Sequence, residues 1–582
     1  MPPLPTPSAP ADPLAARARL AAVARGDVPA DVVLRGGTVV NVASCELERA
    51  DVAIADGLIA GLGPYDGEKI LEVDGTFLTP AFIEGHLHVE SSLLTPPGFA
   101  ALVAPRGTGT VVADPHEIAN VCGADGVRWM RDASRGLPVD IRYGASPCVP
   151  ASDLGTAGAT LGVDDLLALD DEQPFAGLAE VMSFPLVVAA EPDVTAKLDA
   201  FAGRVIDGHA PGLGGLGLNA YVGAGPASDH ECTTAAEARE KLRRGMRIMI
   251  REGSTARNLD ALIGLVTPAN SRRFMFVTDD CHAADLSDRG HLDHQLRRAL
   301  EHGLDPLVAL QMVTINVAEH FRLHDRGMLA PGRRADIVVL EDLVGFRART
   351  VLHGGHTVAS GGRLTERVRS DAGPPPDSGV RIDPDPAALR VEAGSGALRV
   401  VGTTEGQIVT ELRELEARIE DGTAVADPER DVAKICVFER HHGSGRVGVG
   451  FVQGLGLARG AIASTVAHDC HNLVVAGTSD NEITHAAQVV TDLGGGQAAV
   501  RDGETLAALA LPVAGLMSQA DPGVVADAHR ELHRAAGRLG SEVADPFMLL
   551  SFCALEVIPA FKVTDRGPVD VGSFSVIDLF AG

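Results

Sequence analysis

Histidines and carboxylates recur where predicted strands of this chain end. His86 and His88 stand two residues apart in FIEGHLHVE, and side chains alternate along a strand, so both imidazoles face the same side. Four further candidates follow other β-rich segments: Glu180, His209, His230 and Asp279. Each of them alone could be a cap or a partner of a loop carbonyl. Together they form a nitrogen and oxygen donor set suited to Zn, Mn or Fe.

Six donors exceed the needs of one four-coordinate ion. The set therefore predicts two metals bridged by a carboxylate and a solvent hydroxide, with Glu180 as the candidate bridge. Bound divalent metals lower the pKa of water and supply a nucleophile at neutral pH. The chemistry expected is hydrolytic attack on an sp² carbon.

The elements that must position these residues alternate between β-rich runs and stretches of helical period, from about Phe82 to Leu323. Eight runs are predicted strands: FIEGHLHVE, GTVVADP, DIRYGAS, FAGLAEVMSF, VIDGHAP, YVGAGPASDHE, RIMIREGS and RFMFVTDD. Eight parallel strands with crossover helices predict an α/β fold, a (β/α)8 TIM barrel, whose chemistry lies at the carboxyl ends of its strands.

Short strands broken by glycine turns flank this region on both sides, so one small β domain assembled from both flanks is expected. The predicted divisions are a tail and short helix at 1–28, a composite β domain at 29–79 with 326–370, the barrel at 80–325, a Pro-rich linker at 371–385 and an α+β domain at 386–582. Three helices are predicted in the last domain: TELRELEARIEDG, EITHAAQVVTDLG and PGVVADAHRELHRAAGRLG.

Composition excludes several classes of function. The 582 residues carry a formal charge of −28 and contain one Trp and three Tyr, which argues against binding a nucleic-acid backbone or stacking on its bases. The eight cysteines contain no CxxC pair and are expected to be reduced, as in a cytoplasmic protein. No signal peptide and no membrane span is expected.

Long motifs resemble the adenine deaminase family of the amidohydrolase superfamily. They include PAFIEGHLHVESSLLTP, DPHEIANVCG, GLAEVMSFP, LNAYVGAGPASDHECTT and FVTDDCHAADL, and they continue near the C terminus in GFVQGLGLARGAIASTVAHDCHNLVVAGTSD and FMLLSFCALEVIPAFKVTDRGPVDV. The resemblance spans nearly everything from about Asp31 onward, which is much more specific than the superfamily pattern alone.

The resemblance implies a role for each candidate. Its binuclear site would comprise His86, His88 and Asp279 on the first metal, His209 and His230 on the second, and Glu180 as the bridge in place of a carbamylated lysine. Asp279 would accept the proton of the attacking hydroxide, and Glu117 in DPHE would protonate the purine N1. The alternative is that Glu117 only caps the helix that begins near Ile118, because Glu is favoured in a first helical turn.

The implied reaction adds hydroxide to C6 of adenine and expels ammonia, leaving hypoxanthine, as in purine salvage or catabolism. The expected cofactor is a divalent pair, Mn²⁺ first, with Fe²⁺ or Zn²⁺ as alternatives. The expected partner is a small purine, and the resemblance implies a homo-oligomer, namely a dimer. Candidate substrate contacts are Ser91, Asn219, Tyr221, His468, Asp469 and His471.

The loop STVAHDCHN, which holds the last three of these, is expected either to close over the barrel mouth or to be a structural loop or weak surface metal site. Three positions depart from the family pattern: Ala81 replaces an expected Gly, Cys281 follows Asp279-Asp280 where a basic residue is more usual, and Cys470 replaces an expected Ser. Cys281 could alter specificity or make the enzyme sensitive to oxidation.

Two alternatives stay open at this stage. The chain could be another hydrolase of the superfamily acting on a different cyclic amide or aminopurine, because barrel loops set the substrate. It could also be a barrel with an inert site, although a complete ligand set argues against that. The zinc cytidine-deaminase class is disfavoured, since Pro147-Cys148 lacks the second cysteine of its signature.

Overall fold

The computed structural model describes residues 12–404 and 406–582. Helix α1 spans Pro13–Ala24, close to the predicted short helix, and the Asp12 side chain caps it by accepting hydrogen bonds from the backbone N–H groups of Leu14 and Ala15. The first eleven residues of the predicted tail lie outside the described residues.

The first seven strands of the chain belong to two sheets. The strands are β1 Ala30–Arg35, β2 Thr38–Asn41, β3 Glu46–Arg49, β4 Val52–Ala55, β5 Leu58–Leu62, β6 Gly67–Glu72 and β7 Phe77–Pro80. One sheet has the order β5-β4-β1-β6. The other also takes strands from far along the chain, namely β16 Ile337–Leu340, β17 Ala348–His353, β18 His356–Ser360 and β19 Arg363–Leu364, in the order β19-β18-β17-β16-β7-β2-β3. Strand β16 pairs antiparallel with β7, so the two ends of the segment between them lie side by side.

That intervening segment alternates strand and helix. Its strands are β8 Phe82–Leu87, β9 Thr108–Ala113, β10 Asp140–Tyr143, β11 Gly177–Val181, β12 Val205–Gly208, β13 Ser228–Asp229, β14 Arg247–Arg251 and β15 Phe274–Val277. Its helices are α2 Pro96–Val103, α3 His116–Ala133, α4 Val163–Glu172, α5 Phe184–Val188, α6 Pro192–Ala200, α7 Gly215–Gly223, α8 Ala235–Arg243, α9 Leu259–Leu262, α10 Ala283–Asp288, α11 Leu292–Glu301, α12 Pro306–Met312 and α13 Ile315–His320.

All ladders among these eight strands are parallel, in three groups ordered β10-β9-β8, β11-β12 and β13-β14-β15. Single parallel bridges join Leu87 to Asp279 and Ala145 to Leu178. The backbone N–H of Ala227 donates to Ile206 O at 2.9 Å between β12 and β13. Most positions of these strands are buried on both faces, which explains why they read as continuous apolar runs.

The predicted sixth strand is wrong over most of its length. YVG ends helix α7, and only Ser228–Asp229 of that run is strand. Leu218 and Tyr221 are both fully buried three residues apart, which is a helical spacing that the apolar run conceals. Asn219, predicted at a strand end, is therefore on a helix.

The C-terminal part is built on an eight-stranded sheet ordered β21-β20-β25-β24-β27-β26-β28-β29. Its strands and two short neighbouring ladders are β20 Leu398–Gly402, β21 Glu411–Leu415, β22 Arg418–Glu420, β23 Thr423–Val425, β24 Val432–Phe438, β25 Val447–Gln453, β26 Ala461–Ser464, β27 Leu473–Gly477, β28 Gly496–Arg501, β29 Glu504–Ala510, β30 Phe561–Thr564, β31 Gly567–Asp570 and β32 Ser575–Val576. Its helices are α14 Asp480–Asp492, α15 Pro522–Leu539 and α16 Pro546–Phe552.

Two of the three helices predicted here are present as α14 and α15, and the third is wrong. TELRELEARIEDG forms the exposed strands β21 and β22, because β21 pairs along β20 at the sheet edge from Leu398↔Leu415 to Gly402↔Glu411. Pairing has overridden the helix propensity of a Glu- and Leu-rich run.

Residues 371–385 form neither helix nor strand. They contact both the strand-and-helix region and the C-terminal part of the chain. Trp129 Nε1 donates to Gly373 O at 3.2 Å, and the Arg440 guanidinium donates to Ser378 O. Within residues 12–404 and 406–582, no helix is both long and apolar enough to cross a bilayer.

Strand β12 approaches β13 so closely that a side chain at Gly208 would overlap the carbonyl oxygen of Ser228. We expect Gly208→Ala to destabilise the fold by about 1–3 kcal/mol, because the clash is with backbone and cannot relax by a rotamer change. Calorimetry should show a lower Tm. Gly223→Ala is the matched control, since nothing lies within 4 Å of a Cβ there. Equal Tm values for the two variants would contradict the close approach.

Candidate active site

The predicted ligands converge at the carboxyl ends of the eight strands. His86 lies in β8, where strand alternation places it on the same face as Glu84 and His88. All six predicted ligands are at least nine-tenths buried: His86, His88, Glu180, His209, His230 and Asp279. The six predicted ligands therefore lie together in one cluster.

Glu180 is at the centre of this cluster, and its two oxygens face different histidines. Oε1 is 3.2 Å from His88 Nε2. Oε2 is 2.7 Å from His209 Nδ1 and 3.3 Å from His230 Nε2. One carboxylate thus lies between the imidazole of the first strand and those of the fifth and sixth.

Asp279 follows β15 on the other side of His86 and His88. Its Oδ1 is 3.4 Å from His86 Nε2 and 3.0 Å from His88 Nε2, and its Oδ2 accepts from the Arg251 guanidinium. Its φ of 56° is in the left-handed region, which an aspartate tolerates better than most residues. Burial alone would raise the pKa of Asp279. The charge of Arg251 and the two histidines lower the pKa by a larger amount, so the net pKa is well below the ordinary value.

The donor chemistry fits divalent cations. Three groups have ligand atoms within 4.8 Å of one another: His86 with His88 and Glu180, His86 with His230 and Asp279, and Glu180 with His209 and His230. In the part of the chain that is described, His86 Nε2, His209 Nε2 and His230 Nδ1 have no hydrogen-bond partner although they are buried. Burial lowers the pKa of His209, yet nearby Glu231 and Glu180 raise it to about 9. These buried imidazoles and carboxylates could hold divalent cations between them.

A second layer of charged residues holds the ligands, and sequence reasoning missed it. Asp207 Oδ2 is 2.9 Å from His86 Nδ1, which fixes that ring. Glu231 lies 3.5 Å from His230 Nε2 and accepts from Arg251 at 2.5 Å and 3.1 Å. Asp207 stands two residues before His209, and Glu231 directly follows His230, so strand alternation and the SDHE motif were the available signals.

The cavity in front of these residues has an empty volume of about 410 Å³, which includes space open to solvent. Its roof comes from the C-terminal part of the chain. His468 and Asp469 line it, as predicted for one reading of the STVAHDCHN loop. The remaining lining is mostly apolar: Met182, Ile408, Phe552, Leu555, Val557 and Ile558.

His116 connects floor and roof and was not singled out from the sequence. Its Nε2 is 3.3 Å from Asp469 Oδ1, and its Nδ1 is 3.8 Å from Glu180 Oε1. Burial lowers the pKa of His116, and the Asp469 hydrogen bond with nearby carboxylates raises it to about 9. His116 directly precedes Glu117 in the quoted DPHE segment, which was the signal.

Glu117 is buried in the first turn of α3, behind the cavity wall. Ser91 Oγ donates to Glu117 Oε1 at 2.6 Å and lies 2.5 Å from Asp280 Oδ1, and His471 Nε2 is 3.3 Å from Glu117 Oε2. The capping contact belongs instead to Glu90, whose Oε1 accepts from the backbone N–H of Ile118 at 3.2 Å. Glu117 therefore does not serve as the cap of helix α3.

The charge states around Glu117 are uneven. Burial raises the pKa of Glu117, but the His471 hydrogen bond and the His468 charge lower it well below the ordinary value. Burial lowers the pKa of His468, and the charge of Asp280 with the Asp469 hydrogen bond raises it to about 10. An ionised carboxylate thus stands beside a protonated imidazole that faces the cavity.

Four of the six predicted substrate contacts do not line the cavity: Ser91 and His471 contact Glu117, and the other two lie on helix α7. Asn219 is on the exposed face of α7, where its side chain accepts from Arg244 Nε at 3.2 Å. Tyr221 is fully buried behind His209: its hydroxyl accepts from His209 N at 2.9 Å and donates to Val181 O at 3.0 Å. The assumption that both sit at a strand end was wrong, because helix α7 occupies that part of the chain.

The unusual cysteines are both buried. Cys470 Sγ donates to Glu556 Oε1 at 2.8 Å beside the cavity roof. Cys281 is 9% exposed, and burial raises the pKa of its thiol well above the ordinary value, which disfavours the reactive thiolate.

Comparison with known proteins shows which families this chain resembles. The amidohydrolase family profile matches residues 77–358, and the adenine deaminase C-terminal domain profile matches residues 407–575. Adenine deaminase of Desulfatibacillum aliphaticivorans is 46% identical over 96% of this chain and 99% of its own length, and that of Methanothrix thermoacetophila is 44% identical over 96% and 99%. A β-aspartyl dipeptidase structure from Fervidobacterium islandicum covers 58% of this chain and 98% of its own, with 16% identity and a TM-score of 0.43.

The mixed α/β architecture with histidines and carboxylates at its strand ends is that of an amidohydrolase-family protein. Within that class, 46% identity over 96% of the chain, together with the matched C-terminal part, decides the family. The chain belongs to the adenine deaminase family.

The Asp207–His86 hydrogen bond should govern metal retention. We expect Asp207→Asn to weaken divalent metal binding about 10- to 100-fold, because removing the partner of a ligating imidazole frees its ring orientation and lowers its basicity. Competition with a chelator measures this. Asp199→Asn on the exposed face of α6 is the control. Unchanged affinity in Asp207→Asn would show that His86 is not a ligand.

Proposed function

We propose that this chain hydrolyses adenine to hypoxanthine and ammonia. The observation that carries the proposal is Glu180, whose two oxygens face separate histidines inside a cavity roofed by the C-terminal part of the chain. Membership of the adenine deaminase family supports the choice of adenine over other rings.

The proposed cofactor is a pair of divalent cations, Mn²⁺ first, with Fe²⁺ or Zn²⁺ as alternatives. The ligands would be His86, His88 and Asp279 for one ion and His209 and His230 for the other, with Glu180 shared. When bound, such ions supply hydroxide at neutral pH by lowering the pKa of water. Carboxylates and imidazoles without sulfur suit all three metals.

Asp279 is the proposed proton acceptor for the attacking water. Arg251 holds its Oδ2, which keeps the carboxylate ionised and oriented. Oδ1 remains directed at the histidines and the cavity. A carboxylate fixed in this way can take a proton without reorganising, which is what general-base catalysis requires.

Glu117 is the proposed carrier of a proton to the purine N1, and His468 is its charged neighbour at the cavity. His468 is protonated at neutral pH and lines the cavity, whereas Glu117 is ionised and lies within reach of His468 and His471. Ser91 orients Glu117 by donating to Oε1. Two groups with pKa values pushed apart are the pattern expected of an acid–base pair.

The apolar side of the cavity would hold the flat base and exclude water. Phe552, Ile408 and Leu555 offer surface to a planar ring. A different cyclic amide or aminopurine remains the alternative substrate, since loops rather than metals set the ring. An inert barrel is the remote alternative.

We propose further that the eight strands β8 to β15 make one closed (β/α)8 barrel at 80–325. The single bridges at Leu87 and Ala145 and the Ala227 hydrogen bond support closure. The composite β domain at 29–79 with 326–370, the linker at 371–385 and the α+β domain at 386–582 complete the proposed organisation. A cytoplasmic homodimer acting on a free purine, without nucleic-acid or membrane partners, is the proposed working form.

Ammonia release tests the proposed reaction. Apo-protein reconstituted separately with Mn²⁺, Fe²⁺ or Zn²⁺ should deaminate adenine and leave adenosine, guanine and cytosine largely untouched, because the chain belongs to the adenine deaminase family. Metal-loaded protein that turns over another ring instead would move the assignment to the alternative substrate. Metal-loaded protein with no turnover of any ring would favour the inert site.

Replacing Glu117 with Gln keeps the size of the side chain and removes its capacity to carry a proton. We expect kcat on adenine to fall by ~10² or more while the metal content stays at the wild-type value. Glu172→Gln, at an exposed pair with Arg128, is the control. A loss of less than about threefold would return Glu117 to a purely structural role.

A further inference from the structure

A second cluster of ligand-type side chains lies at the junction between the strand-and-helix region and the C-terminal part of the chain. It contains three histidines and one aspartate: His282, His529, His533 and Asp545. Neither the proposed reaction nor the six proposed active-site ligands use these residues.

Three separate elements contribute to the cluster. His282 immediately precedes helix α10, which follows the last strand of the eight. His529 and His533 are on α15, and their i, i+4 spacing puts both rings on one face of that helix. Asp545 is the N-cap of α16. Helices α10 and α15 pack against each other, so the cluster is at their contact.

The rings and the carboxylate are close enough to share one ion. His282 Nε2 is 3.1 Å from Asp545 Oδ2, and His533 Nε2 is 3.5 Å from Asp545 Oδ1. The His529 ring centroid lies 4.7 Å from that of His282 and 4.4 Å from that of His533. Ligands about 2.0–2.1 Å from a tetrahedral zinc ion are about 3.3 Å apart, and the distances from Asp545 to His282 and His533 are close to that spacing.

The hydrogen bonds of His282 leave its second nitrogen in need of a cation. Nδ1 is 2.8 Å from the carbonyl oxygen of Ser91, which can only accept, so Nδ1 must carry a proton. In the neutral ring, Nε2 is then a lone pair that faces the Asp545 carboxylate. Two acceptors at that distance require either a second proton on the ring or a metal ion.

His529 supplies an independent indication. The side chain is 2% exposed, and among residues 12–404 and 406–582 its Nε2 has no hydrogen-bond partner; His533 Nε2 also has none. A buried polar atom without a partner costs free energy unless something outside the protein satisfies it. The His533 side chain is 27% exposed, which leaves a route for an ion from solvent.

We propose that His282, His529, His533 and Asp545 bind one zinc ion, in addition to the metals of the active site. Three imidazoles and a carboxylate complete a four-coordinate shell, so this ion would be structural and would not hold a reactive water. It would fasten helix α15 to the loop after the last strand of the eight. Through the Ser91 carbonyl it would also fix the residue whose hydroxyl orients Glu117.

Counting metal equivalents tests the proposal. Chelator-stripped full-length protein is titrated with Zn²⁺, and bound metal is measured by mass spectrometry after desalting. We expect one more tightly bound equivalent in the wild type than in His533→Gln and in the His529→Gln/His533→Gln double variant. His324→Gln, at an exposed loop, is the matched control and should keep the wild-type count.

Two further readouts separate metal binding from a folding defect. Zn²⁺ should raise the Tm of the wild type by more than that of His533→Gln, because a metal that binds only the folded state stabilises it. An anomalous-difference map at the zinc edge from wild-type crystals should show a peak between the four side chains. Equal counts in wild type and variants, or a zinc-loaded crystal without that peak, would overturn the proposal whatever the deaminase assay gives.

Discussion

The structure depends on the burial of opposite charges around Glu180. A carboxylate that is 3% exposed is kept there only because imidazoles approach both of its oxygens, and those imidazoles are in turn held by Asp279, Glu231 and Asp207. Leaving any one of these charges unmatched in a low-dielectric interior is strongly destabilising. The eight strands, short as several of them are, are the frame that delivers these groups to a single point.

Reliance on such a network explains which parts of the site were predictable from the sequence. Candidate ligands at strand ends, such as His86 and His88, follow from the period of two along a strand, and the structure brings their side chains into one cluster. Glu231 and Arg251 act through other residues, and a residue type alone does not show whether it binds an ion or a neighbouring side chain. Asn219 and Tyr221 were misplaced because a glycine-rich apolar run has no strong local preference, and packing decided in favour of helix α7.

The same distinction applies to the fold. The alternation of strands and helices between Phe82 and Leu323 is a long-range periodic signal, and the structure follows it with eight parallel strands. TELRELEARIEDG has the composition of a helix but pairs at a sheet edge, where the neighbouring strand β20 outweighs a few tenths of a kcal/mol per residue of intrinsic preference. Local composition therefore gave the wrong secondary structure where a partner strand was available.

The cavity wall joins residues that are far apart in the chain, from His88 to Phe552 and Ile558. During synthesis the eight strands emerge first, and at typical elongation rates the roof follows some tens of seconds later. Until then the charged floor faces solvent without its cover. On the ribosome the proposed metal-binding residues would thus be open to solvent before the roof exists, while selection of a substrate has to wait until the residues of the roof have been synthesised.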